Sequence, residues 1–397
     1  MDLLRPNDQP SYRSLRIDGA RLHWCEIPGP SETRSVPLLL LHGLHDSHLT
    51  WKHIASTFGG DRRVLMPDLF GCGLSDRPDA SYELSWHAHS IAQWLEAIGV
   101  TEVDVVGHSF GGGVGQMLLL EPNLKVRRLA LLASGGLGRD VGVWLRLATL
   151  PVVERFGQPF MRPGTRYFLR ALSPSLRIED IERMSAMNAR AGTARAFART
   201  VRDVIDWRGQ RRMFFQRAHE IAALPPVLVV WGDRDDVIPI HHGISFSQAA
   251  ECVAFHRIEG AGHWPHHEKP QQVVDALRGF LDEPVVECMR LRPAPKPLIA
   301  RTLERVRELK ARLRKPATPK AAERPLIADS PMPAEPTVVV ETVVVPQPAM
   351  SADVVVTSAA AGDVAVVETE ILPRRFGWRR ALARWVATQV WRFKQAS

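Results

Sequence analysis

The chain is short of the features that would mark a cysteine-built, membrane-spanning or nucleic-acid-binding protein. Its 397 residues include four cysteines, Cys25, Cys72, Cys252 and Cys288, and no C-x-x-C pair. Thiols so scattered exclude a zinc ribbon or a dense disulfide framework, and they predict reduced cysteines in a cytoplasmic setting. No apolar run reaches about eighteen residues, so no stretch reads as a membrane-spanning helix. The opening Met1-Asp-Leu-Leu-Arg-Pro-Asn-Asp8 is too polar for a signal peptide. Charge of one sign is also missing from most of the chain. Residues 1–284 carry 32 Lys+Arg against 32 Asp+Glu, and residues 285–397 carry 19 against 11, so the tail supplies the whole formal +8. A neutral main part gives nucleic acid no electrostatic footprint, and no nucleic-acid partner is expected.

What is present is a globular composition, 45% hydrophobic and 24% charged. The alternation from Ser14 to Glu26 around Asp18-Gly19 predicts a hairpin. Solid apolar or β-branched runs at Val36–Leu41, Arg63–Pro67, Val103–Val106, Arg127–Leu132, Val227–Trp231 and Cys252–Ile258 predict strands. Between them, helical spacing covers Trp86–Ile98, about Gly112–Leu120, Ile244–Ala250 and Gln272–Leu281. Strand and helix in steady alternation imply a mostly parallel sheet covered on both faces.

The alternation stops at Gly135-Gly136 and resumes only after residue 210. In between no strand is evident. Helical stretches at Val143–Leu147, Arg166–Leu172, Ile178–Ala189 and Ala194–Ile205 interleave apolar residues with arginine. A helical insertion between two sheet strands is expected to form a lid over a substrate site. The expected plan is a core in two parts, 1–136 and 211–284, with the lid at 137–210. A low-complexity, largely disordered linker over 285–373 and a basic amphipathic terminal helix over 374–397 complete it.

Chemistry concentrates in Gly107-His108-Ser109-Phe110-Gly111, which follows the Val103–Val106 strand and fits the G-x-S-x-G nucleophile elbow. A strand turning at once into a helix leaves no room for a Cβ at the flanking positions, hence the glycines. It also lifts the Ser109 hydroxyl above the helix N-terminus, where the Phe110 N–H can face an oxyanion. A serine hydroxyl needs an adjacent base to attack at neutral pH, and that base needs a carboxylate to fix its tautomer.

Five features resemble the α/β-hydrolase family in its order: the strand ending in His42-Gly43, the loop Asp68-x-x-Gly71-x-Gly73-x-Ser75, the Ser109 elbow, Gly232-x-x-Asp235, and Gly262-His263. The resemblance covers roughly residues 12–283. It implies an eight-stranded, mostly parallel sheet and a triad of Ser109, Asp235 and His263. It places oxyanion donors at Leu44 and Phe110, and His42, Gly43, His108 and Trp264 along the substrate. Family register favours Asp235 over its neighbours Asp233 and Asp236; an acid after the preceding strand would be Asp140. Asp68 is expected to brace its own Gly-rich turn. His241-His242 and His266-His267-Glu268 lack tetrahedral ligand spacing, so no metal is expected, and no cofactor. Stretches 42–51, 133–141 and 206–210 resemble a group of poorly characterised actinobacterial hydrolases, which implies no substrate.

A serine at the elbow sets the chain apart from dehalogenase and epoxide-hydrolase branches, which place aspartate there. A carboxylic ester hydrolase acting on a small hydrophobic acyl or ester substrate is expected. Thioester hydrolysis, acyl transfer, carbon–carbon bond hydrolysis and, more weakly, cofactor-free perhydrolysis use the same triad. The rival reading is a membrane-associated binding protein with a degenerate hydrolase domain. In residues 374–397, Trp378, Leu382, Trp385, Val386, Val390 and Phe393 share one helical face flanked by arginines, a pattern suited to peripheral contact with an anionic membrane.

Overall fold

The computed structural model describes residues 10–285, apart from 31–34, 173–175, 222–223 and 250–251. Most of the linker expected at 285–373 and all of the terminal helix expected at 374–397 lie outside the described residues.

The alternating segment pairs as an antiparallel hairpin, β1 (Ser11–Ile17) with β2 (Ala20–Ile27), turning through Asp18 and Gly19, both at positive φ. Next come β3 (Leu38–Leu41), α1 (Ser56–Gly59), β4 (Val64–Pro67), α2 (Leu84–Ala97), β5 (Glu102–His108), α3 (Phe110–Leu118) and β6 (Lys125–Leu132). The insertion holds α4 (Val143–Leu147), α5 (Pro151–Phe156), α6 (Met161–Leu172), α7 (Ile178–Asn188) and α8 (Thr193–Val204). A two-residue ladder follows, β7 (Ile205–Asp206) with β8 (Gly209–Gln210). The chain then returns through β9 (Val227–Gly232), α9 (His241–Ala249), β10 (Val253–Ile258), α10 (Pro265–Glu268) and α11 (Pro270–Asp282).

Eight strands form one sheet in the order β1-β2-β4-β3-β5-β6-β9-β10. From β4 to β10 every pairing is parallel; only β1–β2 and β2–β4 are antiparallel. β3 shows why the apolar runs are unbroken. Leu38 and Leu40 face Trp51, Val106, Val230 and Leu277 on one side, while Leu39 and Leu41 face Trp94, Val105 and Trp231 on the other. A strand buried on both faces has no polar alternation to display. This two-sided core fixes the C-terminal ends of β3, β5, β6 and β9 along one edge, and the catalytic loops leave from that edge.

Four expectations need correction. α3 starts at Phe110, not near Gly112, because the elbow passes straight from strand to helix with Ser109 as its N-cap. α5 was not foreseen: Pro151 opens it at the first turn, and it buries no residue, so it has no apolar periodicity to read. The insertion is also not free of strand, since β7 and β8 pair just after α8. Cys25 and Cys72 are free, but Cys252 is disulfide-bonded, so the expectation of four reduced thiols does not hold. Spacing along the chain says nothing about which sulfurs come within bonding reach.

Candidate active site

Ser109 sits between β5 and α3 with φ 52° and ψ −114°. A non-glycine residue in that region is strained, at about 1–3 kcal/mol, and persists only where its surroundings impose it. Here they do. The Ser109 N–H donates to the Leu132 carbonyl at 3.0 Å, and its own carbonyl accepts from Gly135 N at 3.0 Å and Gly112 N at 3.1 Å. A Cβ on Gly107 would come within 2.5 Å of the Gly111 carbonyl oxygen, and one on Gly111 within 2.3 Å of that of Leu41. Both flanking glycines are therefore demanded by close backbone approach.

The loops after β9 and β10 bring the other two groups over the serine. His263 Nε2 lies 3.0 Å from Ser109 Oγ, and His263 Nδ1 lies 2.8 Å from Asp235 Oδ2. With Nδ1–H donating to the carboxylate, Nε2 is left as the acceptor for the serine proton. The other Asp235 oxygen accepts from Val237 N at 2.8 Å and Ile238 N at 2.9 Å, so the carboxylate is fixed at both ends. Its side chain is fully buried and that of His263 nearly so. Gly232 makes this convergence feasible: a Cβ there would stand 2.3 Å from the carbonyls of both Ala261 and Gly262.

The remaining acids are engaged elsewhere. Asp233 binds Arg257 at 2.8 Å and the Gly260 N–H at 2.8 Å, bracing the turn after β10. Asp236 is exposed. Asp140, the alternative acid after β6, pairs with His241 at 3.1 Å and lies 3.6 Å from His242, not beside His263.

His42-Gly43-Leu44 passes close to the elbow, and a Cβ on Gly43 would meet the His108 ring at 2.9 Å and the Ser109 Cβ at 3.4 Å. His42 is completely buried. Its Nδ1–H donates to the Gly43 carbonyl at 2.8 Å and its Nε2 accepts from Leu69 N at 3.0 Å, so it braces the loop rather than facing a substrate. His108 is buried too, and its Nε2–H donates to the His263 carbonyl at 2.8 Å. Burial depresses the pKa of both rings, and His263 adds to the effect at His108. A neutral His108 holds the His263 backbone without placing a second positive charge beside it.

Residues 36–270 match the α/β-hydrolase fold family, over more than half of the chain. The chain belongs to that family. An uncharacterised protein of Mycobacterium tuberculosis is 30% identical over 256 residues, 62% of this chain and 75% of that one. A 2-hydroxymuconate semialdehyde hydrolase of Pseudomonas putida is 28% identical over 254 residues, covering 62% and 87%. Among solved structures, a membrane phospholipase A is 25% identical with a TM-score of 0.56, covering 69% of this chain and 86% of that one. Within this family the Ser109–His263–Asp235 arrangement is that of a serine hydrolase.

Around this hydrolase centre several residues singled out by sequence have bracing roles. Asp68 accepts from the His48 N–H at 2.7 Å and the Leu74 N–H at 2.8 Å, and its carboxylate also meets His48 Nδ1 at 2.9 Å and His23 Nδ1 at 3.2 Å. Those contacts hold its carboxyl far below the usual range against the opposing cost of burial. His23, His48 and Asp68 stand close enough to share an ion, as do Asp140, His241 and His242. Asp68, however, already spends both oxygens on its own loops. His266 Nε2 and His267 Nε2 both meet Thr50 Oγ1, at 2.9 and 2.8 Å, and Glu268 accepts from the Gly262 N–H at 2.9 Å. Trp264 differs from these, since it packs on the lid cluster of Leu169, Leu176, Ile181 and Met184 and joins the histidine loop to the insertion.

Sequence reading missed the lid residues that close over Leu44. A cavity of about 10 Å³ is lined by Leu44, Phe70, His87, Phe110, Ala196 and Phe197. His45 fastens this corner, with Nε2 3.0 Å from Thr165 Oγ1, its carbonyl accepting from Asn188 at 2.8 Å and its ring 5.0 Å from that of Phe197. Burial lowers the His45 and His87 pKa values to about 3, so both line the corner as neutral rings. Only the α8 sequence, with small and aromatic residues at Ala196 and Phe197, hinted at it. A larger cavity of about 410 Å³ lies elsewhere, against α3 and between Leu84, Met117, Asp203, Arg212 and Phe214. Gln116, which lines it, donates from its amide to Ser134 Oγ and the Gly135 carbonyl.

Proposed function

We propose that the protein hydrolyses a carboxylic ester, or a lipid-like acyl substrate, through a covalent acyl-enzyme on Ser109. The observation that carries this is the unbroken line from Asp235 through His263 to the strained Ser109 hydroxyl. Ser109 Oγ attacks the carbonyl carbon while its proton passes to His263 Nε2. The developing oxyanion sits between the N–H groups of Leu44 and Phe110. As first residue of α3, Phe110 has no intrahelical carbonyl for its N–H to meet, and both residues line the small cavity. The imidazolium then gives its proton to the leaving alkoxide as the C–O bond breaks. In the second half His263 takes a proton from water, hydroxide attacks the acyl carbonyl, and Ser109 leaves with the proton restored. Asp235 stabilises the imidazolium in both halves without itself taking the proton.

The cavity beside Leu44 has room for about one water molecule. An acyl group therefore needs Phe197 and α8 to move outward, and the walls it would meet, Phe70, Phe110 and Phe197, favour an apolar one. The test is a series of p-nitrophenyl esters and thioesters of increasing acyl length. Turnover that requires Ser109 and favours medium or long apolar acyl groups supports the reading. A vinylogous diketone turned over in preference to every ester would favour carbon–carbon bond hydrolysis instead.

A further inference from the structure

The lid carries an outer face that the fold leaves uncovered. α5 packs on α8 and α6 packs on α7, so α7 and α8 cover one side of each. The opposite side exposes Val143 and Leu147 on α4, Val152 and Phe156 on α5, Phe160 just before α6, and Tyr167 and Phe168 on α6. Phe156 is 60% exposed and Val152 53%, and α5 buries no residue at all. The Trp144 and Phe168 rings lie 4.5 Å apart and join α4 to α6. Exposed apolar surface on this scale, gathered on one element group, marks a contact with another phase or molecule.

Charge selects the occupant. Residues 143–172 contain five arginines, no lysine and one acid, Glu154. That acid is turned inward, bonded to Arg199 at 2.9 Å and paired with Arg202 of α8. Arg162 and Arg166 share Glu182 of α7, whereas Arg155 and Arg170 are exposed with no carboxylate partner among the described residues. The Arg155 guanidinium lies 5.6 Å from the centre of the Phe156 ring. Exposed aromatic side chains on elements that carry two unpaired arginines, with no outward acid within residues 143–172, complement a surface that is apolar within and negatively charged at its rim.

We infer that the α4–α6 face of the lid docks on an anionic lipid surface. The aromatic side chains enter the headgroup layer and Arg155 and Arg170 meet lipid phosphates. The docking brings the lid, the element that closes the corner beside Leu44, against a reservoir of acyl substrate. It goes beyond the proposed ester hydrolysis and does not depend on turnover.

The test is flotation of the full-length protein with vesicles of phosphatidylcholine alone and of phosphatidylcholine mixed with phosphatidylglycerol. Wild type should float with the anionic vesicles, fall away as salt is raised, and ignore the neutral ones. Arg155→Glu with Arg170→Glu should lower partitioning by about thirtyfold or more, and Phe156→Ser with Phe160→Ser should lower it by about tenfold or more. All four positions are exposed, so the variants keep the wild-type circular dichroism. Absence of wild-type binding overturns the inference. So does equal binding by wild type and both lid variants, which would assign the contact to residues 374–397. Because binding is read without substrate, its failure leaves the hydrolase reading standing.

Discussion

At the scale of single residues, the three clustered acids are told apart by what each carboxylate holds. Asp235 binds His263 and two backbone N–H groups, Asp233 binds Arg257 and Gly260, and Asp236 faces solvent. Asp235→Asn should lower ester turnover on the order of a thousandfold, since an amide no longer holds the Nδ1–H tautomer. Asp233→Asn should leave turnover within a few fold while lowering Tm, and Asp236→Asn should change neither. Comparable loss of turnover at Asp233 would show that the carboxylate has been misassigned. Gly232→Ala is the backbone counterpart. Its Cβ would press on the Ala261 and Gly262 carbonyls, so it should destabilise by about 1–3 kcal/mol and displace His263, with turnover falling further than Tm alone explains.

At the scale of elements, the sheet was legible because each strand is a short apolar run between turn residues, and a strand buried on both faces has no other way to be written. Ser109, Asp235 and His263 were legible for a related reason: backbone crowding forces glycine at Gly107 and Gly111 beside the serine and at Gly232, against the loop that carries His263. What sequence could not show is which way a buried histidine turns. His42 and His108 were expected along the substrate, yet both are buried and each donates a ring N–H to a backbone carbonyl. The lid was legible as helical but not in its inward faces, because arginines with local partners obscure the apolar period. Phe197 is the consequence. Phe197→Ala on α8 should enlarge the corner beside Leu44 and shift the preferred acyl length upward, with the change concentrated in kcat/KM for long esters. An unchanged preference would place the acyl group elsewhere in the hydrolase.

At the scale of the whole molecule, the buried histidines set the response to pH. Burial lowers the pKa of His45, His87 and His267 to about 3, and pushes His42, His108 and His266 down as well. In the unfolded chain each returns to about 6.5 and binds a proton that the folded state refuses. Their contribution is therefore complete above about pH 6.5 and is lost as pH falls from there toward 3. Asp46 works the other way: burial raises its carboxyl to about 7, so the folded state holds a proton that the unfolded chain releases, and its contribution fades as pH rises from about 4 to 7. These histidines, joined by His53 and His242, which burial also lowers, outweigh one aspartate. Thermal unfolding followed at fixed ionic strength should show Tm falling steadily from pH 7 to pH 5. A flat or rising Tm on acidification would mean that these rings are solvated in the folded protein.

The central claim is that the fold activates one hydroxyl, that of Ser109, through His263 and Asp235. Intact mass measurement after treatment with a fluorophosphonate, followed by peptide mapping, reads this directly, because only an activated serine reacts at neutral pH. One adduct per chain should appear, mapped to Ser109, fast in the wild type, absent in Ser109→Ala and strongly slowed in His263→Ala. An unlabelled wild type, an adduct on another residue, or equal labelling of the His263→Ala protein would contradict the account.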